Sequence, residues 1–105
     1  MELRLECIFP TAPASTVRWW HKGDQVVSNC NVAADRPYIS APSCSDTNYT
    51  IIINVHSKDA VDGLWECTHQ ALQYDVTVDA AGEYECYKKD LQNNLTAGIL
   101  VISKF

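Results

Sequence analysis

Short segments in which apolar and polar residues alternate recur along the whole 105-residue chain. In LRLECIF, residues 3–9, every second side chain is apolar, and ALQYDVTV, residues 71–78, repeats the pattern. A period of two places successive side chains on opposite faces of a strand, so that one face can be buried. No segment sustains a helical period. Many short strands separated by turn residues predict an all-β protein, either a sandwich or a barrel.

Composition and charge narrow the classes of function. Hydrophobic residues make up 47% of the chain and charged residues 20%, which is typical of a folded domain. The net charge of −5 argues against nucleic-acid or anionic-membrane partners, because both require clustered Lys and Arg. No apolar run approaches the roughly 20 residues that span a bilayer. The start, MELRLEC, lacks the apolar region of a signal peptide, so we expect an excised or recombinant domain.

The cysteine content predicts an oxidising compartment. The five cysteines are Cys7, Cys30, Cys44, Cys67 and Cys86. Such a density in a small domain is typical of secreted proteins, and an odd number leaves one cysteine without an intrachain partner. Two glycosylation sequons, at Asn48 and Asn94, favour the same location. We therefore expect an extracellular protein, secreted or part of a membrane protein's ectodomain.

The stretch 29–48 shows no periodicity and contains two prolines and several Ser and Asn residues. Two cysteines lie within it, Cys30 and Cys44. The sequence predicts a long loop closed by a disulfide between them. Such a bond contributes about 3 kcal/mol by restricting the unfolded chain.

Three segments together resemble the immunoglobulin superfamily: Cys7 on a strand, VRWWHKG at 17–23, and VTVDAAGEYEC at 76–86. The resemblance implies a two-sheet β-sandwich in which Cys7 on strand B bonds Cys86 on strand F. It also implies that Trp19 packs on this bond and that Tyr84 is the tyrosine of the corner motif. The chain departs from the pattern in having no strand A before Cys7. It also carries the strand-F motif twice, since GLWEC at 63–67 precedes GEYEC at 82–86.

The duplicated motif allows two assignments of the chain. In the preferred one, Cys7 bonds Cys86, residues 1–105 form one domain, YTIIINV is strand D and GILVIS is strand G. This assignment leaves no orphan edge strand, and Tyr84 has the hydroxyl that a corner hydrogen bond uses, whereas Trp65 offers an N–H. In the alternative, Cys7 bonds Cys67. Residues 1–79 then form the domain, and 80–105 are an extra hairpin from a partial second domain.

Candidate partner-binding residues follow from the preferred assignment. Trp19 and Trp20 are adjacent on a strand, so a core Trp19 places Trp20 on the outer face. Tryptophan is enriched at binding hot spots. The resemblance implies that partners dock on the sheet of strands G, F, C and C′ or on its loop tips. The predicted contact residues are Trp20, Lys88, Lys89, Leu91 and Gln92.

The sequence offers no catalytic or metal-binding constellation. Cys67 and His69 share a strand face, but no further ligand or base accompanies them. The glycine-rich, C-x-x-C, H-E-x-x-H and G-x-S-x-G motifs are absent. We therefore expect no enzyme activity and no cofactor. The favoured function is an extracellular module that recognises a protein partner; the alternatives are a structural spacer domain and a chimeric sequence of immunoglobulin-like fragments.

Overall fold

The computed structural model describes residues 2–54, 56–78 and 97–104. In chain order the strands are β1 (Glu2–Ile8), β2 (Arg18–His21), β3 (Asp24–Ser28), β4 (Asn31–Val32), β5 (Ile39–Ser45), β6 (Asn48–Asn54), β7 (Gly63–His69), β8 (Leu72–Val78) and β9 (Gly98–Lys104). A single 3₁₀ turn, Lys58–Ala60, precedes β7 in the part described. The predicted all-β class is confirmed.

Two antiparallel sheets pack face to face as a sandwich. The four-stranded sheet has the order β5-β6-β1-β9, and the five-stranded sheet has the order β4-β3-β2-β7-β8. The alternation in β1 explains the packing, because Leu3, Leu5 and Cys7 are completely buried while the residues between them are not. Ile51 and Ile53 of β6 lie on the same inner face and are also fully buried. The period-two pattern in the sequence is therefore the pattern of the core.

A disulfide between Cys7 and Cys67 joins β1 to β7 across the two sheets, with 6.4 Å between the Cα atoms. The preferred pairing of Cys7 with Cys86 is wrong, and the alternative partner Cys67 is the one that is bonded. The reason is the position of β7, which lies beside β2 in the five-stranded sheet. Its register places Cys67 opposite the buried Trp19, so the predicted packing of Trp19 beside the bond is kept. The other two motif residues, Tyr84 and Cys86, lie outside the described residues.

A second disulfide joins Cys30 to Cys44, as predicted, with 5.5 Å between the Cα atoms. The segment around it is more regular than the predicted loop over 29–48, because it contains β4 and β5. The strand β5 is an edge strand with a register shift between Ser40 and Ser43, around Pro42. Proline lacks a backbone N–H and occurs at edges and bulges, which explains why this strand has no recognisable strand pattern.

Two strand positions differ from the preferred assignment. YTIIINV, predicted as strand D, forms most of β6, which lies between β5 and β1 in the position of strand E. GILVIS, predicted as strand G, lies in β9, which pairs with β1 rather than with a strand of the other sheet. The strand next to β7 is β8. The C-terminal strand thus occupies the place beside β1 where strand A of an immunoglobulin sandwich would lie.

Candidate functional site

The exposed surface of interest is the outer face of the five-stranded sheet around Trp20. In β2, Trp19 points into the core and is 1% exposed, whereas Trp20 points outward and is half-buried. Trp20 lies opposite Glu66 of β7 and Gln25 of β3. The predicted placement of Trp20 on the outer face is therefore confirmed.

A hydrogen bond across the sheet holds the indole ring of Trp20 in place. Its Nε1–H donates to Oγ1 of Thr68 on β7, at 3.0 Å. Thr68 lies opposite Arg18 in the register, so the ring extends along the boundary between β2 and β7. The ring is partly covered, and the bond restrains its orientation.

The surroundings of Trp20 are polar and balanced in charge. An open depression on this face, which we call the Trp20 patch, is lined by Arg18, Trp20, Glu66, Thr68, Gln70 and Gln73. Nε2 of Gln73 donates to Oε2 of Glu66 at 2.6 Å, which fixes both side chains. Leu64, on the same face of β7 and 38% exposed, adds an apolar group diagonal to Trp20. The patch thus offers an aromatic surface, amide groups, one cation and one carboxylate.

A buried aromatic pair lies on the opposite, inner face of the same strands, and sequence reasoning missed it. The rings of His21 and Trp65 stack with centroids 4.0 Å apart and planes inclined by 12°. Nε2–H of His21 donates to the carbonyl of Asp62 at 2.7 Å, and Nε1–H of Trp65 donates to the carbonyl of Val61 at 2.8 Å. Both rings therefore fasten the segment before β7 to the core.

Trp65 takes the place that the corner tyrosine has in the immunoglobulin pattern. It stands two residues before the bonded Cys67 and its N–H bonds a carbonyl four residues upstream. The preference for Tyr84 had rested on its hydroxyl, but an indole N–H reaches the same type of acceptor. Trp65 could have been identified from its position, because it lies two residues before Cys67 just as Tyr84 lies two residues before Cys86.

His21 makes the stability of the domain depend on pH. Burial lowers the pKa of His21 below its ordinary value, and Lys22 and Arg36 lower it further, against the Asp62 hydrogen bond and Asp24, which raise it. Below about pH 6.5 the unfolded chain binds a proton that the folded domain does not, so stability falls as the pH is lowered from there. Urea unfolding at pH 7.5 and pH 5.5 measures this loss.

Two variants isolate the contribution of His21. In His21→Phe the ring can still stack on Trp65 but cannot be protonated, so we expect a smaller loss of stability between pH 7.5 and pH 5.5. In the control Thr77→Ala, a non-titrating and exposed position of β8, the loss stays that of the parent protein. An unchanged pH dependence in His21→Phe contradicts the assignment.

The other predicted contact residues, Lys88, Lys89, Leu91 and Gln92, lie outside the described residues, as does the sequon at Asn94. They were assigned to the loop after strand F. In the structure the strand with the bonded cysteine is β7, and a two-residue turn at 70–71 follows it.

The asparagine of the other sequon, Asn48, is half-buried at the start of β6. Its Nδ2 donates to Oε2 of Glu6 at 2.7 Å, on the outer face of the four-stranded sheet. A glycan on Asn48 would therefore stand on the sheet opposite the Trp20 patch. Glycosylation at this position remains a prediction.

The remaining candidates for reactive chemistry are the Cys67–His69 pair and clusters of metal-binding side chains. Cys67 is bonded to Cys7, so it does not pair as a thiolate with His69, whose Nε2 lies 3.0 Å from Oγ of Ser15. Within residues 2–54, 56–78 and 97–104, no three His, Cys, Asp or Glu side chains come together as metal ligands would. The same residues contain no helix with the length and apolar character to cross a bilayer.

Comparison of the chain with protein-family models gave no match, and comparison with curated proteins gave none either.

Proposed function

We propose that the chain is a recognition module of the immunoglobulin superfamily that binds a protein partner through the Trp20 patch. The observation that carries the proposal is a partly exposed Trp20, restrained by its hydrogen bond to Thr68, on the outer face of the five-stranded sheet. We propose no catalytic activity and no cofactor for it.

Physical considerations support the Trp20 patch as a contact surface. Tryptophan and arginine are the residues most enriched at hot spots, and both occur here. A ring that is already held in one orientation loses little side-chain entropy on binding. The amides of Gln70 and Gln73 can serve the polar rim that surrounds such anchors.

We propose an extracellular location for this module. Two disulfides in a small domain are consistent with an oxidising compartment. We propose a glycoprotein, secreted or part of an ectodomain, with functions in adhesion, as a receptor or in immunity. The sequons at Asn48 and Asn94 support this proposal.

The alternative function is a spacer domain without a dedicated ligand, in a reducing compartment. The sandwich itself supports it, because the fold alone does not require a partner. A thiol titration of the native protein from its source separates the two. One thiol per chain supports the extracellular module, and five thiols in a folded protein support the spacer. A chimeric chain built from two partial domains would be indicated by a melt without a single cooperative transition.

Replacement of Trp20 by alanine is expected to weaken partner binding about 30-fold, the effect of losing a hot-spot residue worth about 2 kcal/mol. The measurement is surface plasmon resonance against a partner found among multivalent candidate ectodomains. Arg4→Ala, on the outer face of the four-stranded sheet, is the matched control and should bind as the parent does. Equal binding by a folded Trp20→Ala variant removes the patch from the binding site.

A further inference from the structure

The edge of β1 depends on a strand from the far end of the chain. The strand β9 pairs with β1 along its whole length, from Glu2 opposite Lys104 to Ile8 opposite Gly98. Val101, opposite Leu5, is 2% exposed and belongs to the core. Without β9, this side of β1 would present unpaired backbone groups and exposed apolar side chains. The edge therefore requires an occupant.

The end of β8 and the start of β9 lie at opposite ends of the sandwich. Phe9, just after β1, contacts Tyr74 near the start of β8, so β8 begins at the end of the sandwich where β1 finishes. The strand β9 begins at that same end, opposite Ile8. Because β8 finishes at the other end, the chain must cover the length of a strand, about 23 Å, before β9 begins.

The connection is long enough for a choice of partners. The 19 residues from 79 to 97 lie between β8 and β9. A chain of this length spans up to about 60 Å when extended. It can return to the β1 of its own sandwich, and it can equally reach the β1 of a neighbouring copy.

We propose that the β1 edge also accepts β9 from a second copy of this chain, giving a reciprocal strand-exchanged dimer. The closed and exchanged forms contain the same pairs between β1 and β9, so their free energies differ only in the connection and in the entropy of association. For a connection of 19 residues, the effective concentration of the closed form is on the order of millimolar. Exchange therefore becomes substantial when chains fold at comparable concentrations.

The register supplies a cross-link that distinguishes the two forms. Arg4 lies opposite Ile102. One chain carries Arg4→Cys and a second, of different mass, carries Ile102→Cys, both with Cys86→Ser. The two are mixed, unfolded in denaturant at acidic pH, where thiolates are scarce, and refolded with the native disulfides intact. Mild oxidation at neutral pH then joins the two cysteines only if β9 of one chain lies on β1 of the other.

We expect a disulfide-linked heterodimer after refolding at about 1 mM chain, with a yield that falls steeply at about 10 µM. Mass spectrometry should recover the peptide that joins positions 4 and 102. The off-register control combines Ile8→Cys with Ile102→Cys and should give no more than background linkage, because Ile8 lies opposite Gly98, four residues away from position 102. A single chain with Arg4→Cys and Ile102→Cys reports the closed form through an internal bond.

The outcomes separate clearly. An internal bond in the double variant, without a heterodimer at about 1 mM, shows that β9 pairs only within its own chain and overturns the proposal. The same holds if the off-register pair links as efficiently as the matched pair. Absence of both bonds in chains with parent-like circular dichroism also overturns it, because β1 and β9 would then not be neighbours.

Discussion

Replacing Cys7 and Cys67 together by alanine is expected to lower the free energy of unfolding by about 4 kcal/mol, the loss for a bond that closes a loop of this length. The bond spans 60 residues and ties the two sheets together beneath Trp19. Both cysteines are fully buried, so the substitution also leaves small cavities in the core. Urea unfolding followed by circular dichroism gives the difference.

Cys86→Ala is the matched control. With four of the five cysteines in the two disulfides, Cys86 has no cysteine left in the chain to pair with. The control should therefore lose no disulfide and keep the parent's response to reducing agents. Peptide mapping without reduction checks the assignment directly. A peptide that joins Cys7 to Cys86, or a greater loss of stability in Cys86→Ala than in the double variant, would contradict the structure.

The strands with strict alternation could be predicted from the sequence, and so could the core around them. LRLECIF predicted β1 with its buried face, and the resemblance to the immunoglobulin pattern placed Trp19 in the core, where it is found. These predictions succeed because the period of two is imposed by burial on one face of the sheet. The outward position of Trp20 follows from the same rule.

Strand neighbours across the sandwich could not be predicted in the same way. Two segments, GLWEC and GEYEC, satisfy the same local pattern, and local chemistry does not decide which one lies between β2 and β8. The position of β9 beside β1 was missed for a related reason. A short, continuously apolar strand such as GILVIS fits any open edge, and the choice depends on contacts distant in sequence.

The buried pair of His21 and Trp65 was missed because its partners are backbone carbonyls. A carbonyl acceptor is present at every position, so no sequence motif marks Asp62 and Val61 as the acceptors. The pair also helps to position the Trp20 patch. His21 follows Trp20 in β2, so the stacking of His21 on Trp65 helps to hold the strand that presents Trp20.

Replacing Trp65 by alanine is expected to cost about 3–5 kcal/mol, as for a large aromatic side chain in a core. Trp65 is completely buried and stacks on His21. Trp65→Phe keeps most of the packing but leaves the Val61 carbonyl without its donor, which costs about 1–3 kcal/mol. Thermal and urea unfolding of both variants measure these losses. Trp20→Phe, at a half-buried position, is the control and should lose less than Trp65→Phe.

The pH dependence provides a second readout of the same contact. Removing the Trp65 ring admits water beside His21, which brings the pKa of His21 back towards its ordinary value. The loss of stability between pH 7.5 and pH 5.5 should therefore be smaller in Trp65→Ala than in the parent. In the double variant Trp65→Ala with His21→Phe the two effects should not add, because the rings are in contact. Simple additivity, with an unchanged pH dependence in Trp65→Ala, would show that the rings do not stack and that β7 does not lie against β2 as described.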